Sequence, residues 1–182
     1  MSILQNFIRN MLYEPAPAPD SAAPAPTASA PGQATRHEHE DPAPTMTESD
    51  LTGLRALVAD DNPINLQIID SFLRRLGLET TLVENGRQAV DAWAPGRFDV
   101  LCLDISMPEL DGASALRQIH ARARATGATP TPAVAVTASA QPHQVAEHLA
   151  AGFAGCIAKP VRRLQIGEEL VRVLGKGTHL AA

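Results

Sequence analysis

A doubly wound α/β domain built on a parallel sheet is predicted for residues 53–176. Three observations carry that expectation. Short apolar runs alternate with amphipathic stretches through five rounds from residue 54 onward. The runs are continuously apolar, as strands buried on both faces of a parallel sheet must be. Acids, a threonine and a lysine stand where successive runs end, which is where open parallel sheets place ligand sites.

The elements follow in order. Residues 54–59 read as a strand. Asn62 caps the next helix with Pro63 at its first position, Ile64, Ile68, Phe72 and Leu76 share one face, and Gly77 ends it. Residues 79–83 form a second strand. Asn85 caps a short helix running towards Trp93 and stopping before Pro95. Residues 99–103 form the third strand, with Asp104 at its end, and residues 113–126 a helix with Leu116, Ile119 and Ala123 inward. A fourth strand at 133–136 precedes a short polar helix at 141–151. A fifth strand at 154–158 precedes a last helix at 163–174, ended by Gly175. Crossovers in such sheets are right-handed. The product is a three-layer domain of ordinary size.

Composition sets bounds. Aromatics make up 3% of the chain, so the core must come from Leu, Val, Ile and Ala. The net charge of -5 is uneven: residues 1–52 hold two basic and seven acidic residues, and residues 53–182 thirteen of each. A formally neutral domain lacks the basic face that nucleic acid requires. Cys102 and Cys156 both fall in predicted strands, which suits a reducing, cytoplasmic setting better than a disulfide scaffold. No apolar stretch approaches the roughly 20 residues of a membrane span.

Ahead of the domain, residues 1–13 place Ile3, Leu4, Phe7, Ile8, Met11 and Leu12 at helical spacing. With Arg9 as its one basic residue this segment has little pull towards anionic lipid, so a protein partner is the preferred reading over a membrane. Residues 14–52 hold eight of the chain's 15 prolines and many acids, and read as a disordered linker. His37, Glu38, His39, Glu40 and Asp41 lie in it, and a solvated charge run is preferred there over a metal site. A short tail, 177–182, follows the last helix, so no output domain is expected.

The chemistry gathers at one rim. Asp60, Asp61, Thr137 and Lys159 fall just past strand ends and share that rim with Asp104. Unit charges 4 Å apart interact by roughly 4 kcal/mol at an effective dielectric of about 20, so three crowded carboxylates demand a proton or a cation. Oxygen donors favour a hard ion, and Mg²⁺ is the usual one where phosphate is handled. Lys159 would then hold one phosphoryl oxygen, Thr137 would donate to another, and Asp104 would be the nucleophile, forming an acyl phosphate.

These pieces resemble the receiver domain of two-component response regulators. The matching segments are Val58-Ala59-Asp60-Asp61-Asn62, Leu103 through Gly112 with Asp104-Ile105-Ser106-Met107-Pro108 inside it, Val136-Thr137-Ala138 and Ala158-Lys159-Pro160. The resemblance implies a flavodoxin-like fold: a doubly wound five-stranded parallel sheet of order 2-1-3-4-5 with helices on both faces. It implies Asp104 as phosphoacceptor, and Asp61, Asp104 and the Ser106 carbonyl as Mg²⁺ ligands, with Asp60 acting mainly through water. Thr137 and Lys159 become the phosphoryl-sensing pair. The donor implied is a phosphohistidine on a histidine kinase or phosphotransfer protein, with the first helix as the docking surface. Asp61-Asn62-Pro63-Ile64-Asn65 is most similar to receivers fused to hybrid kinases. The only catalysis implied is self-catalysed phosphotransfer and autodephosphorylation.

One position departs from the family. Three residues before Lys159, where an aromatic usually switches inward, stands Cys156. Output is therefore expected through the loop after Thr137 and the 141–151 helix. The expected role is a stand-alone, single-domain regulator signalling by protein contact. The alternative is an adaptor that works through its N-terminal helix and linker, with phosphorylation modulatory or dispensable.

Overall fold

A computed structural model describes residues 46–177, so the expectations for residues 1–45 and for most of the 177–182 tail lie outside the described residues. A 3-10 turn, Glu48–Leu51, leads into strands and helices in strict alternation. They are β1 Arg55–Ala59, α1 Pro63–Arg75, β2 Glu79–Val83, α2 Gly86–Ala92, β3 Val100–Asp104, α3 Gly112–Ala125, β4 Ala133–Thr137, α4 Pro142–Ala150, β5 Gly155–Ala158 and α5 Arg163–Gly177. The five strands make one sheet in the order β2-β1-β3-β4-β5. Every pairing is parallel, with Ala59 opposite Leu103 and Asp104 opposite Val136.

Because side chains alternate across a strand, the sheet feeds two cores. On one face Ala56, Val58, Cys102 and Val134 meet Ile69 and Leu73 of α1 and Ile166 and Leu170 of α5. On the other, Leu57, Leu101, Leu103 and Ala135 meet Val90 of α2 and Leu116, Ile119 and Ala123 of α3. Trp93 closes the second core, its indole N–H donating to Thr131 Oγ1 at 3.1 Å. α4 contributes no buried residue and is the most loosely seated helix. The central thiol of Cys102 is fully buried, which pushes its pKa up to about 12. Burial, helped by the charge of Glu169, pushes Cys156 up to about 11. Both are inert small hydrophobes at neutral pH.

Helix starts follow their caps. Asn62 accepts from the Ile64 amide at 2.9 Å, Asn85 from Gln88 at 2.8 Å and Asp111 from Ser114 at 2.7 Å. The carboxyl-terminal edge strand is also closed off. Glu169 on α5 accepts from the Cys156 amide at 2.7 Å, while Arg172 donates to the Ala154 carbonyl at 2.9 Å.

Four details differ from the sequence reading. The 14–52 linker does not reach the domain boundary, because Leu51 is 0% exposed in the first core and Met46 packs beside it. Thr47 turns the chain inward, donating its amide and hydroxyl to Asp50 at 2.7 and 2.9 Å. The buried face of α1 is Leu66, Ile69 and Leu73, continued by Leu76; of the predicted stripe Leu76 is buried and Phe72 packs on the core, but Ile64 is 65% and Ile68 40% exposed. The helix carries two apolar stripes, and its attachment to β1 turns the 66-69-73 stripe to the sheet. The third strand is shifted by one residue. Asp99 lies outside it because its carboxylate holds the Arg55 amide at 2.8 Å and guanidinium at 3.1 Å. Gly175 lies inside α5, where Met46 stands 3.3 Å from the place a Cβ would take.

The burial of Leu51 makes residues 46–52 structural. Leu51→Ala is expected to lower unfolding free energy by about 3 kcal/mol in urea titration, the usual cost of emptying a buried leucine site.

Candidate functional site

The open rim of the sheet is shaped by where the strands stop. β1 ends at Ala59, so Asp60 and Asp61 begin the turn into α1, while Asp104 is the last residue of β3. Strand order puts β1 and β3 side by side, which brings these acids together. Asp60, Asp61 and Asp104 each offer an oxygen within 4.8 Å of the others. Asp60 and Asp104 are buried and Asp61 is exposed.

Lys159 directly follows β5, and its peptide bond to Pro160 is cis. Its ammonium lies 2.8 Å from Asp60 Oδ2 and 2.8 Å from Asp104 Oδ2. Burial disfavours the ammonium, but the two carboxylates outweigh it and leave Lys159 above the ordinary lysine value. Asp104 is held above the usual carboxylate range. Burial is the main cause and the charge of Asp60 adds to it, against the pull of Lys159. A single cation is thus not enough for the three acids gathered there.

The other oxygens are held by the chain. Asp60 Oδ1 accepts from the Asn62 amide at 3.0 Å and from Asn65 Nδ2 at 3.1 Å. Asp104 Oδ1 faces the Ser106 amide at 3.4 Å. Thr137 is buried at the end of β4, but its hydroxyl is engaged elsewhere. It donates to the Ser139 carbonyl at 3.0 Å and faces the Ser139 amide at 3.3 Å. The structure therefore unites Asp60, Asp61, Asp104 and Lys159, sets Ser106 beside them, and leaves the Thr137 hydroxyl turned to its own loop.

Three contributors had no functional role in the sequence reading. Asn65 reaches Asp60 from the first turn of α1. Glu109 takes a left-handed φ of 65° in the turn after β3, and its carboxylate accepts from Asn85 Nδ2 at 3.3 Å. Gly112 lets that turn fold back on the strand end: a Cβ there would stand 2.2 Å from the Asp104 carbonyl oxygen. The Asp61-to-Asn65 and Leu103-to-Gly112 segments were the sequence signals, and neither says what these residues touch.

The donor set fits a hard divalent cation. Three carboxylates supply oxygen only, they meet at one open rim, and their charge exceeds that of the lysine among them.

A five-stranded sheet of this order, with acids and a lysine at the carboxyl ends of its strands, is the architecture of a phosphoryl-accepting receiver. The chain belongs to the response regulator receiver domain family, matching it over residues 56–171. It is thus a receiver that accepts phosphoryl groups in two-component signalling. It is 33% identical over 136 residues to the signal transduction histidine-protein kinase BarA of Escherichia coli K12, covering 75% of this chain and 14% of that kinase. The chain therefore spans a small part of the curated relatives it matches. Among solved structures, it is 35% identical to the receiver domain of the sensor histidine kinase PA1611 from Pseudomonas aeruginosa PAO1, with a TM-score of 0.59, covering 68% of this chain and 99% of that one. That structure holds a magnesium ion in its active site cleft. The receiver domain of Saccharomyces cerevisiae Ssk1, solved with the histidine phosphotransfer protein Ypd1, is 30% identical, with a TM-score of 0.59 and coverage of 63% and 84%. Among the described residues no helix is long and apolar enough to cross a membrane.

The raised Asp104 pKa has a sign that can be read. A carboxyl whose folded pKa exceeds its unfolded one costs stability once ionised, and the cost fades as pH falls through the folded value. Without divalent ions, Asp104→Asn should raise the thermal midpoint at pH 7, and the gain should shrink as the buffer is acidified. Calorimetry of both proteins across that range checks it.

Proposed function

We propose that Asp104 takes a phosphoryl group from a phosphohistidine in a magnesium-dependent phosphorelay, and that the chain then signals by protein contact. The placement of Lys159 carries this reading. Its ammonium bridges Asp104 and Asp60 at 2.8 Å each, at the mouth of an acidic cluster. A group that already neutralises the nucleophile's carboxylate is positioned to follow the charge onto a phosphoryl oxygen.

In the transfer, an Asp104 oxygen attacks phosphorus in line with the leaving nitrogen. The O–P bond forms as the P–N bond breaks, and its electron pair goes to the ring nitrogen. The imidazole leaves neutral because its other nitrogen carries the proton. Asp61, Asp104 and the Ser106 carbonyl would hold Mg²⁺, with Asp60 reaching it through water. When bound, the ion neutralises the carboxylates against the incoming anion. Lys159 keeps its hold on Asp60 and passes from the Asp104 carboxylate to a phosphoryl oxygen. Thr137 gives up Ser139 and donates to another. That exchange draws on the 138–141 loop and on α4, the most loosely seated helix, so output runs through them. Cys156, an inert thiol on β5, takes no part as a switch.

The donor protein must approach the same open rim. Ile64 and Ile68 on α1 and Leu164 on α5 expose apolar surface beside it. Between Lys159 and α5 lies a cleft of about 760 Å³, lined in part by Pro160, Leu164 and Gln165. A phosphohistidine-bearing helix laid over α1 would cover this patch, and the reducing cytoplasm is where we place the exchange.

Incubation with a phosphorylated histidine protein should add one phosphoryl mass to the wild-type chain and none to Asp104→Asn. A chelator should slow labelling at least about tenfold. Ile64→Glu with Ile68→Glu should slow transfer from the protein donor about tenfold yet leave labelling by acetyl phosphate within about twofold, because only the docking surface has changed.

A further inference from the structure

Asp60 is fully buried, yet its two oxygens face different neighbours. Oδ2 points to the Lys159 ammonium at 2.8 Å. Oδ1 accepts from the Asn62 amide at 3.0 Å and from Asn65 Nδ2 at 3.1 Å. A carboxylate can rotate about its terminal torsion at little intrinsic cost. Two donors on one oxygen suppress that rotation and fix the plane in which the other oxygen is offered to the site. The Asn62 donor is backbone and comes with the turn. The Asn65 donor is a side chain, so the residue type at 65 is what completes the hold.

We infer that Asn65 is a positioning residue for the proposed cation site, clamping Asp60 Oδ1 so that Oδ2 stays presented to Lys159 and to magnesium. The inference rests on the receiver reading above and adds a residue to it. An amide suits the task on charge grounds. It satisfies a buried anion without competing for the site, whereas a lysine or arginine there would supply the very cation the carboxylate is meant to bind. A second carboxylate would face Asp60 acceptor to acceptor. The clamp also ties the first turn of α1, which carries exposed Ile64, to the acidic cluster through one hydrogen bond.

Asn62 provides the control. Its side chain caps α1 by accepting from Ile64, while its backbone amide is what touches Asp60. Asn62→Ala therefore weakens the helix start and spares the clamp, and Asn65→Ala does the reverse. The experiment measures magnesium affinity by calorimetric titration of the full chain, unphosphorylated, for wild type and both variants. Groups that orient a metal-binding carboxylate typically change affinity by about tenfold or more when removed. Asn65→Ala should weaken magnesium about tenfold, and Asn62→Ala should remain within about twofold of wild type. Asn65→Gln, keeping the donor on a longer arm, should recover part of the loss. Equal affinity in Asn65→Ala and wild type, or equal weakening by both alanine variants, overturns the clamp while leaving the receiver reading intact. A wild-type chain that takes up no magnesium overturns the receiver's metal dependence and the clamp with it.

Discussion

Mutual repulsion among Asp60, Asp61 and Asp104 is the constraint around which this domain is arranged. Their oxygens come within 4.8 Å of one another, where like charges interact by roughly 3 kcal/mol even at an effective dielectric of about 20. Strand order forces the crowding, since β1 and β3 are neighbours, Asp60 and Asp61 directly follow β1, and β3 ends in Asp104. The fold answers with one lysine from just past β5, backbone and side-chain donors on Asp60 Oδ1, and a raised proton affinity at Asp104. What is left over is an unmet demand for positive charge at a solvent-facing rim. That demand is the physical basis of the proposed chemistry, because the charge that settles the acids also admits a further anion.

The scaffold supplies rigidity where the chemistry needs it and looseness where a signal could leave. β3 and β4 are buried along their whole length, with cores on both faces. Asp104, the proposed phosphoacceptor, therefore sits at the end of a strand buried along its whole length. α4 has no buried side chain, and it follows a loop whose Ser139 is held by the hydroxyl of Thr137. A change at that hydroxyl would be felt in an element with little packing to resist it.

Much of this was legible in the chain because it depends on local pattern. Continuous apolar runs marked the central strands, caps at Asn62 and Asn85 marked helix starts, and the acids were visible at the run ends; β2, Glu79-Thr80-Thr81-Leu82-Val83, departs from that pattern because it is an edge strand with no buried residue. The phase of α1 was not, because Ile64-Ile68-Phe72 and Leu66-Ile69-Leu73 are both plausible apolar stripes. Only the attachment of the helix to the sheet chooses between them. Leu51 was hidden inside a polar, proline-rich context, and its burial comes from contacts with elements far along the sequence. Asn65 and Gly112 were missed for a related reason: what each touches, an Asp60 oxygen and the Asp104 carbonyl, is set by the path of a turn. The hydroxyl of Thr137 was expected to face the rim, but nothing in a sequence says which way a free rotor turns while a nearer carbonyl is available.

The Glu169 and Arg172 pair, which reaches from α5 to the β5 edge, has a consequence beyond the site. An open parallel sheet ends in a row of unsatisfied amides and carbonyls, an invitation for any extended peptide to add itself as a sixth strand. On that margin the Cys156 amide and the Ala154 carbonyl are already taken by side chains of the chain's own last helix. Gly155 between them leaves no side chain in the way, since a Cβ there would stand 2.1 Å from Glu169 Oε1. Two backbone groups that an added strand would need are thus withheld by the chain's own last helix.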